Sequence, residues 1–182
     1  SGALPVIGKL LRHEKCNIRK EACWLLSNVA AASLDQVRAF LDAVVKGSLT
    51  GETLVSRVVE CATSDVHDVR CEAIYTLANV CTGRDRDNIR RIVGTGAVPD
   101  LHVFLKILED DPTTRMRMVG LEAIQAVYTV LSPESVPQRL QDTLHEMMVV
   151  ENNDVAMLAT RLAQDLGIFN GSDSESSDSP FF

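Results

Sequence analysis

The chain has 182 residues, a formal net charge of −7 and a sequence pI near 5.1, with 46% hydrophobic but only 4% aromatic residues. A chain of this size can bury a core, and one so poor in aromatics builds it from Leu, Val, Ile and Ala, which favours helices. The acidic balance argues against a nucleic-acid surface, which needs clustered cations, and suits basic partners. There is no apolar run of roughly eighteen residues and no charged-then-apolar leader, so the expectation is a soluble, intracellular protein with no membrane span.

In chain order, the first predicted helix is Leu4–Arg12, with Pro5 in its first turn where a missing N–H costs nothing. A long helix over Asn17–Ala31 follows, then a short one over Asp35–Val45. The stretch "VVKGSLTGETLVS" (44–56) is a connection, and Leu54–Thr63, Val66–Cys81 and Asp87–Gly94 are the next three helices. Val98–Glu109 comes after Gly96 and has Pro99 in its first turn; Asp111 before Pro112 reads as an N-cap for Thr113–Leu131. A final pair, Val136–Val149 and Asn153–Leu166, closes the predicted array over residues 1–168. The tail "GSDSESSDSPFF" within 169–182 is expected to be disordered, with Ser172 placed three residues before Glu175 as an acid-directed kinase would need.

The same blocks recur in the same cyclic order. "NIRKEACWLLSNVA" (17–30) matches "DVRCEAIYTLANVC" (68–81), "SLDQVRAFLDA" (33–43) matches "DRDNIRRIVGT" (85–95), and "GALPVIGKLL" (2–11) matches "GAVPDLHVFL" (96–105). Glu72 lies 51 positions after Glu21, and a weaker third copy, "GLEAIQAVYTV", places Glu122 a further 50 on. These intervals slightly exceed the roughly 40 to 47 residues of armadillo and HEAT units. The fold class expected is all-α, a right-handed superhelical solenoid of about three to four repeats.

The long helix of each unit has two working faces. At about 100° per residue, Glu21, Trp24 and Asn28 lie within about 60° of one another, and Ala22, Leu25, Leu26 and Val29 form a separate apolar stripe. Glu72, Tyr75 and Asn79 repeat the polar row, with Ala73, Leu77 and Val80 as the buried stripe. An asparagine can donate to and accept from the backbone of an extended guest peptide. A neighbouring aromatic gives the methylenes of lysine or arginine a flat wall and attracts the cation by roughly 0.5 to 2 kcal/mol. Acids at the rim favour the same guest. In the third unit Gln125 and Thr129 replace the aromatic and the amide, and Arg115 brings an opposing charge, so binding is expected to stop after two units.

The five cysteines are odd in number, without a CxxC pair, and read as small apolar core residues. The four histidines, His13, His67, His102 and His145, are scattered without ligand spacing, so neither a metal nor a cofactor is expected. Nor is there a GxSxG, a P-loop or an HExxH motif, so the chain is not expected to be an enzyme.

The run "RKEACWLLSNVAA", preceded by "GALPVIGKLL" and followed by "DQVRAFLDA", resembles an armadillo repeat of the importin-α family over Gly2 to about Gly167. The resemblance implies an adaptor for basic nuclear-localisation signals, present in cytoplasm and nucleus, with this chain similar to the last four or so repeats. It places Trp24, Asn28, Tyr75 and Asn79 in the family's minor peptide site, with Glu21 and Glu72 as acidic rim. It also implies contact with the recycling exportin through residues beyond about 113. Importin-β would bind only an N-terminal segment that this chain does not carry. The chain departs from the family in having Tyr75 for a tryptophan, which keeps an aromatic wall of smaller area, and in the lengthened 44–56 connection, which is expected to distort the array locally. An armadillo scaffold for cytoskeletal or signalling proteins is the alternative.

Overall fold

The computed structural model describes residues 2–83, 85–94, 101–131 and 136–168. Among these are ten helices: α1 (Leu4–Leu10), α2 (Cys16–Ala30), α3 (Leu34–Asp42), α4 (Leu54–Ser64), α5 (His67–Thr82), α6 (Arg86–Gly94), α7 (His102–Asp110), α8 (Thr114–Tyr128), α9 (Gln138–Met148) and α10 (Asn153–Asp165). Every predicted helix is present, with boundaries moved by a few residues. Gly96, Pro99 and the tail from 169 lie outside the described residues, and no described helix is long and apolar enough to cross a membrane.

Local chemistry sets the helix starts. Thr53 accepts from Ser56 N ahead of α4, Thr113 from Met116 N ahead of α8, and Asn152 from Val155 N ahead of α10. Ser33 and Gln36 close a reciprocal capping box on α3. The expectation for Asp111 is corrected: Thr113 is the N-cap. Asp111 precedes a proline that holds it in extended conformation, and its buried carboxylate accepts from Thr113 N and Thr113 Oγ1.

The chain divides into two compact units, residues 1–133 and 134–182. In the first, the long helices α2, α5 and α8 stack in sequence, α4 packs on α5, α7 packs on α8, and α4 and α7 touch each other. Among the described residues the core of this unit is mainly aliphatic, with Phe40 and Phe104 as its buried aromatics: Leu26, Leu54, Ile74, Leu77, Leu108, Leu121 and Ile124 are inaccessible. In the second unit α9 and α10 pack on each other, burying Leu140, Leu144 and Met147 with Val155, Ala159 and Leu162.

The apolar stripe of α5 is as expected, but that of α2 needs correction. Ala22 and Leu26 are buried together with Cys23 and Ala30, whereas Leu25 is 43% exposed and Val29 is only half-buried. The repeat gives the reason. Leu25 matches Thr76, which faces the long helix before its own and donates to the Cys23 carbonyl; among the described residues no long helix precedes α2.

The lengthened 44–56 connection folds back on itself. Val44 and Thr53 form an antiparallel bridge, Val45 N donates to Glu52 O at 2.8 Å, and Gly47 and Gly51 adopt the positive φ that the two bends require. Val45 is buried against α1 so closely that a Cβ on Gly8 would stand 2.9 Å from its methyl carbon.

Three of the cysteines, Cys23, Cys61 and Cys81, are core residues as expected, while Cys71 is half-buried and Cys16 is exposed. Burial pushes the Cys81 thiol up to about 12, which keeps it protonated and inert.

Candidate functional site

The two rows of predicted site residues stand on neighbouring helices, and three cross-helix hydrogen bonds fix their register. Lys20 Nζ donates to Asp68 Oδ2 at 3.1 Å, Thr76 Oγ1 to the Cys23 carbonyl at 3.1 Å, and Asn79 Nδ2 to the Ser27 carbonyl at 3.0 Å. Partners ascend in the same order along both helices, so α2 and α5 run parallel and the row at 21, 24 and 28 lies beside the row at 72, 75 and 79. Glu21, Trp24 and Asn28 are exposed, with Trp24 49% accessible; Glu72, Tyr75 and Asn79 are half-buried. All six are within reach of a guest chain.

The amides are partly committed. Asn28 Nδ2 donates to the Trp24 carbonyl one turn back at 2.9 Å, and Asn79 Nδ2 is spent on Ser27. Each therefore offers a guest peptide its Oδ1 as acceptor for a backbone N–H, and keeps one of its two amide hydrogens for a guest carbonyl.

Two cations of the chain itself enter the acidic row. The Arg115 guanidinium lies over the Tyr75 ring, 5.0 Å from its centre, so the aromatic wall of the second repeat already faces a cation. Lys20 sits between Asp68 and the glutamates. Burial pushes the Glu72 carboxyl above its ordinary range, and the nearby Lys20 and Arg115 partly oppose that rise. The Lys20 hydrogen bond holds Asp68 below the usual carboxylate range. Burial likewise raises the Tyr75 phenol. Lys20 was visible next to Glu21 in the motif, but a helical-face projection puts neighbouring residues on different faces; only the partner helix shows that it reaches Asp68.

Arg19 ties the first two repeats together. Its Nε and Nη2 donate to the two oxygens of Asp65 at 2.5 and 2.6 Å, and its Nη1 donates to the His13 and Glu14 carbonyls at 2.7 and 2.9 Å. This pairing holds Asp65 below the usual carboxylate range and Arg19 above its own.

Residues 1–31 match the Armadillo/beta-catenin-like repeat family model. Importin subunit alpha-2 of Oryza sativa subsp. japonica is 29% identical over 135 residues, covering 69% of this chain but 24% of that protein. The chain thus spans about a quarter of the length of that relative. Among solved structures, a computationally designed armadillo repeat protein for modular peptide recognition superposes with a TM-score of 0.70 at 20% identity, covering 90% of this chain and 64% of the other. A designed armadillo repeat protein in complex with the peptide (KR)4 gives 0.56 at 18% identity, covering 91% and 82%. With its recurring helices, its stacked long helices and these likenesses, the chain has the armadillo-repeat fold and opens with a sequence match to an armadillo repeat.

Proposed function

We propose that this chain is a binding module that holds an extended basic peptide across α2 and α5, with Trp24 and Tyr75 as walls for cationic side chains, Asn28 and Asn79 as acceptors for the peptide backbone, and Glu21 and Glu72 as rim. The observation that carries the reading is the Arg115 guanidinium over the Tyr75 ring: the wall takes a cation within the chain itself. The designed armadillo protein in complex with (KR)4 supports the same guest chemistry. The similarity to an importin alpha subunit extends the proposal to nuclear-localisation signals of cargo, to shuttling between cytoplasm and nucleus, and to an exportin contact through residues beyond about 113. On this reading the chain acts by binding and not by catalysis.

A second reading also has an observation behind it. Lys20 and Arg115 bring positive charge into the same surface, as a scaffold for acidic cytoskeletal or signalling partners would require. Isothermal titration calorimetry with a lysine-rich peptide and its glutamate counterpart separates the two. Heat from the lysine peptide alone supports the first reading, heat from the glutamate peptide alone supports the second, and equal heats or none would remove both.

A further inference from the structure

Matching the units exposes one place where the second departs from the first. Asp65, in the turn before α5, is held by Arg19. The corresponding acid before α8 is Asp111, and the residue 51 positions after Arg19 is Arg70. Instead of taking up that pairing, Arg70 has its Nε buried without a hydrogen-bond partner. Asp111, with a fully buried side chain, has one oxygen fixed by Thr113 and points the other at α5.

There it meets two further donor atoms. His67 Nε2 is 2.7 Å from Asp111 Oδ2, and Cys71 Sγ is 3.6 Å from His67 Nε2 and 3.9 Å from Asp111 Oδ2. His67 and Cys71 are four residues apart on one face of α5, so the helix itself holds them side by side. The three ligand atoms lie within 4.8 Å of one another. A tetrahedral zinc ion with bonds of about 2.0–2.3 Å separates its ligand atoms by about 3.4–3.6 Å. The sulfur already stands near that distance from both partners, and the half-exposed His67 ring needs to move by less than about 1 Å. A carboxylate also stands near the other ring nitrogen: Asp68 Oδ1 is 3.6 Å from His67 Nδ1, from where a small approach would let it orient a metal-binding imidazole.

We propose that His67, Cys71 and Asp111 form a zinc-binding site, with three protein ligands and a fourth position left to an exchangeable ligand. One nitrogen, one sulfur and one oxygen suit borderline-soft Zn2+, whereas Mg2+ and Ca2+ select oxygen alone. On coordination the Cys71 thiol proton leaves to solvent and the thiolate takes its place on the metal. The ion ties α5 to the turn between α7 and α8, the connection that Arg19 and Asp65 make one unit earlier. This revises the sequence expectation of no metal, which considered histidine spacing and could not pair α5 with an acid 40 residues away.

The test is titration of the reduced full chain with Co2+, followed by competition with Zn2+. One equivalent of Co2+ should give a thiolate-to-cobalt charge-transfer band with the visible bands of a four-coordinate ion, and Zn2+ should abolish both. Cys71→Ser should lose the band while Cys16→Ser, at the other accessible thiol, keeps it, and His67→Ala should weaken zinc binding by about tenfold or more. Zinc should raise the melting temperature of the wild type and not that of Cys71→Ser. The absence of a thiolate band from the wild type overturns the proposal whatever the variants do. So does a band that persists in Cys71→Ser, or a zinc affinity unchanged in His67→Ala.

Discussion

Asn79 of α5 donates its side-chain amide to the backbone carbonyl of Ser27 in α2 at 3.0 Å, so a residue of the proposed site is also a tie between repeats. Its counterpart Asn28 bonds within its own helix, to the Trp24 carbonyl, and is exposed. The two amides are equivalent in sequence and unequal in energy. Asn79→Ala should lower unfolding free energy by about 0.5–1.5 kcal/mol, and Asn28→Ala should stay within about 0.5 kcal/mol of wild type. Urea unfolding of both variants measures the difference. Asn28 is therefore the cleaner probe of peptide binding.

Leu26 is inaccessible and Leu25, its neighbour, is 43% exposed. Leu26→Ala should cost about 2–5 kcal/mol through lost burial and the cavity left behind. Leu25→Ala removes a side chain that is already 43% exposed, loses correspondingly less burial, and should cost under about 1.5 kcal/mol. Equal losses in thermal or urea unfolding would mean that α2 faces its neighbours differently.

The fold was legible wherever the sequence repeats itself. First-turn Pro5, the apolar periodicity and the matching of Glu21 with Glu72 located the helices, because these signals are read along the chain without knowledge of spatial neighbours. Leu25 was misread for the opposite reason: periodicity tells which residues share a stripe, while the helix that would cover the stripe is a tertiary fact. Pro112 misled locally: Asp111 before it looked like a cap, and Thr113 after it performs the capping. In the site, the row of six residues was legible, whereas Lys20 reaching Asp68 and Arg115 seated over Tyr75 depend on which turns of α2, α5 and α8 come level. The His67, Cys71 and Asp111 cluster was illegible because its third member arrives from a turn 40 residues away.

Acid should loosen the tie that Arg19 and Asp65 make between the first two repeats. The Arg19 pairing depresses the Asp65 carboxyl, so Asp65 contributes stability that is fully present above its unfolded pKa of about 3.9 and is lost as pH falls through the lower folded value. Asp65→Ala should be less stable than wild type by about 1.5–3 kcal/mol at neutral pH, as expected for charge-assisted hydrogen bonds. The gap should hold down to about pH 5 and narrow progressively below pH 4. Melting curves of both proteins across that range give the comparison.

Arg115 stacks on the wall that a guest cation would use at Tyr75. If the basic-peptide reading is right, Arg115→Ala frees that wall and removes a like charge. Affinity for a lysine-rich peptide should then rise by about 0.5–2 kcal/mol, between about twofold and thirtyfold. Calorimetric titration of the variant reads this directly; weaker binding would mean that Arg115 orders Tyr75 more than it competes with the guest.

Trp24 is the one tryptophan in the chain and stands half-exposed in the proposed groove, so its fluorescence reports on that surface without a label. Titration with a lysine-rich peptide should give a saturable change in Trp24 emission that the glutamate counterpart does not produce and that Asn28→Ala shifts to higher peptide concentration. Emission that stays constant while calorimetry shows the lysine peptide binding would put the peptide elsewhere and contradict the groove between α2 and α5.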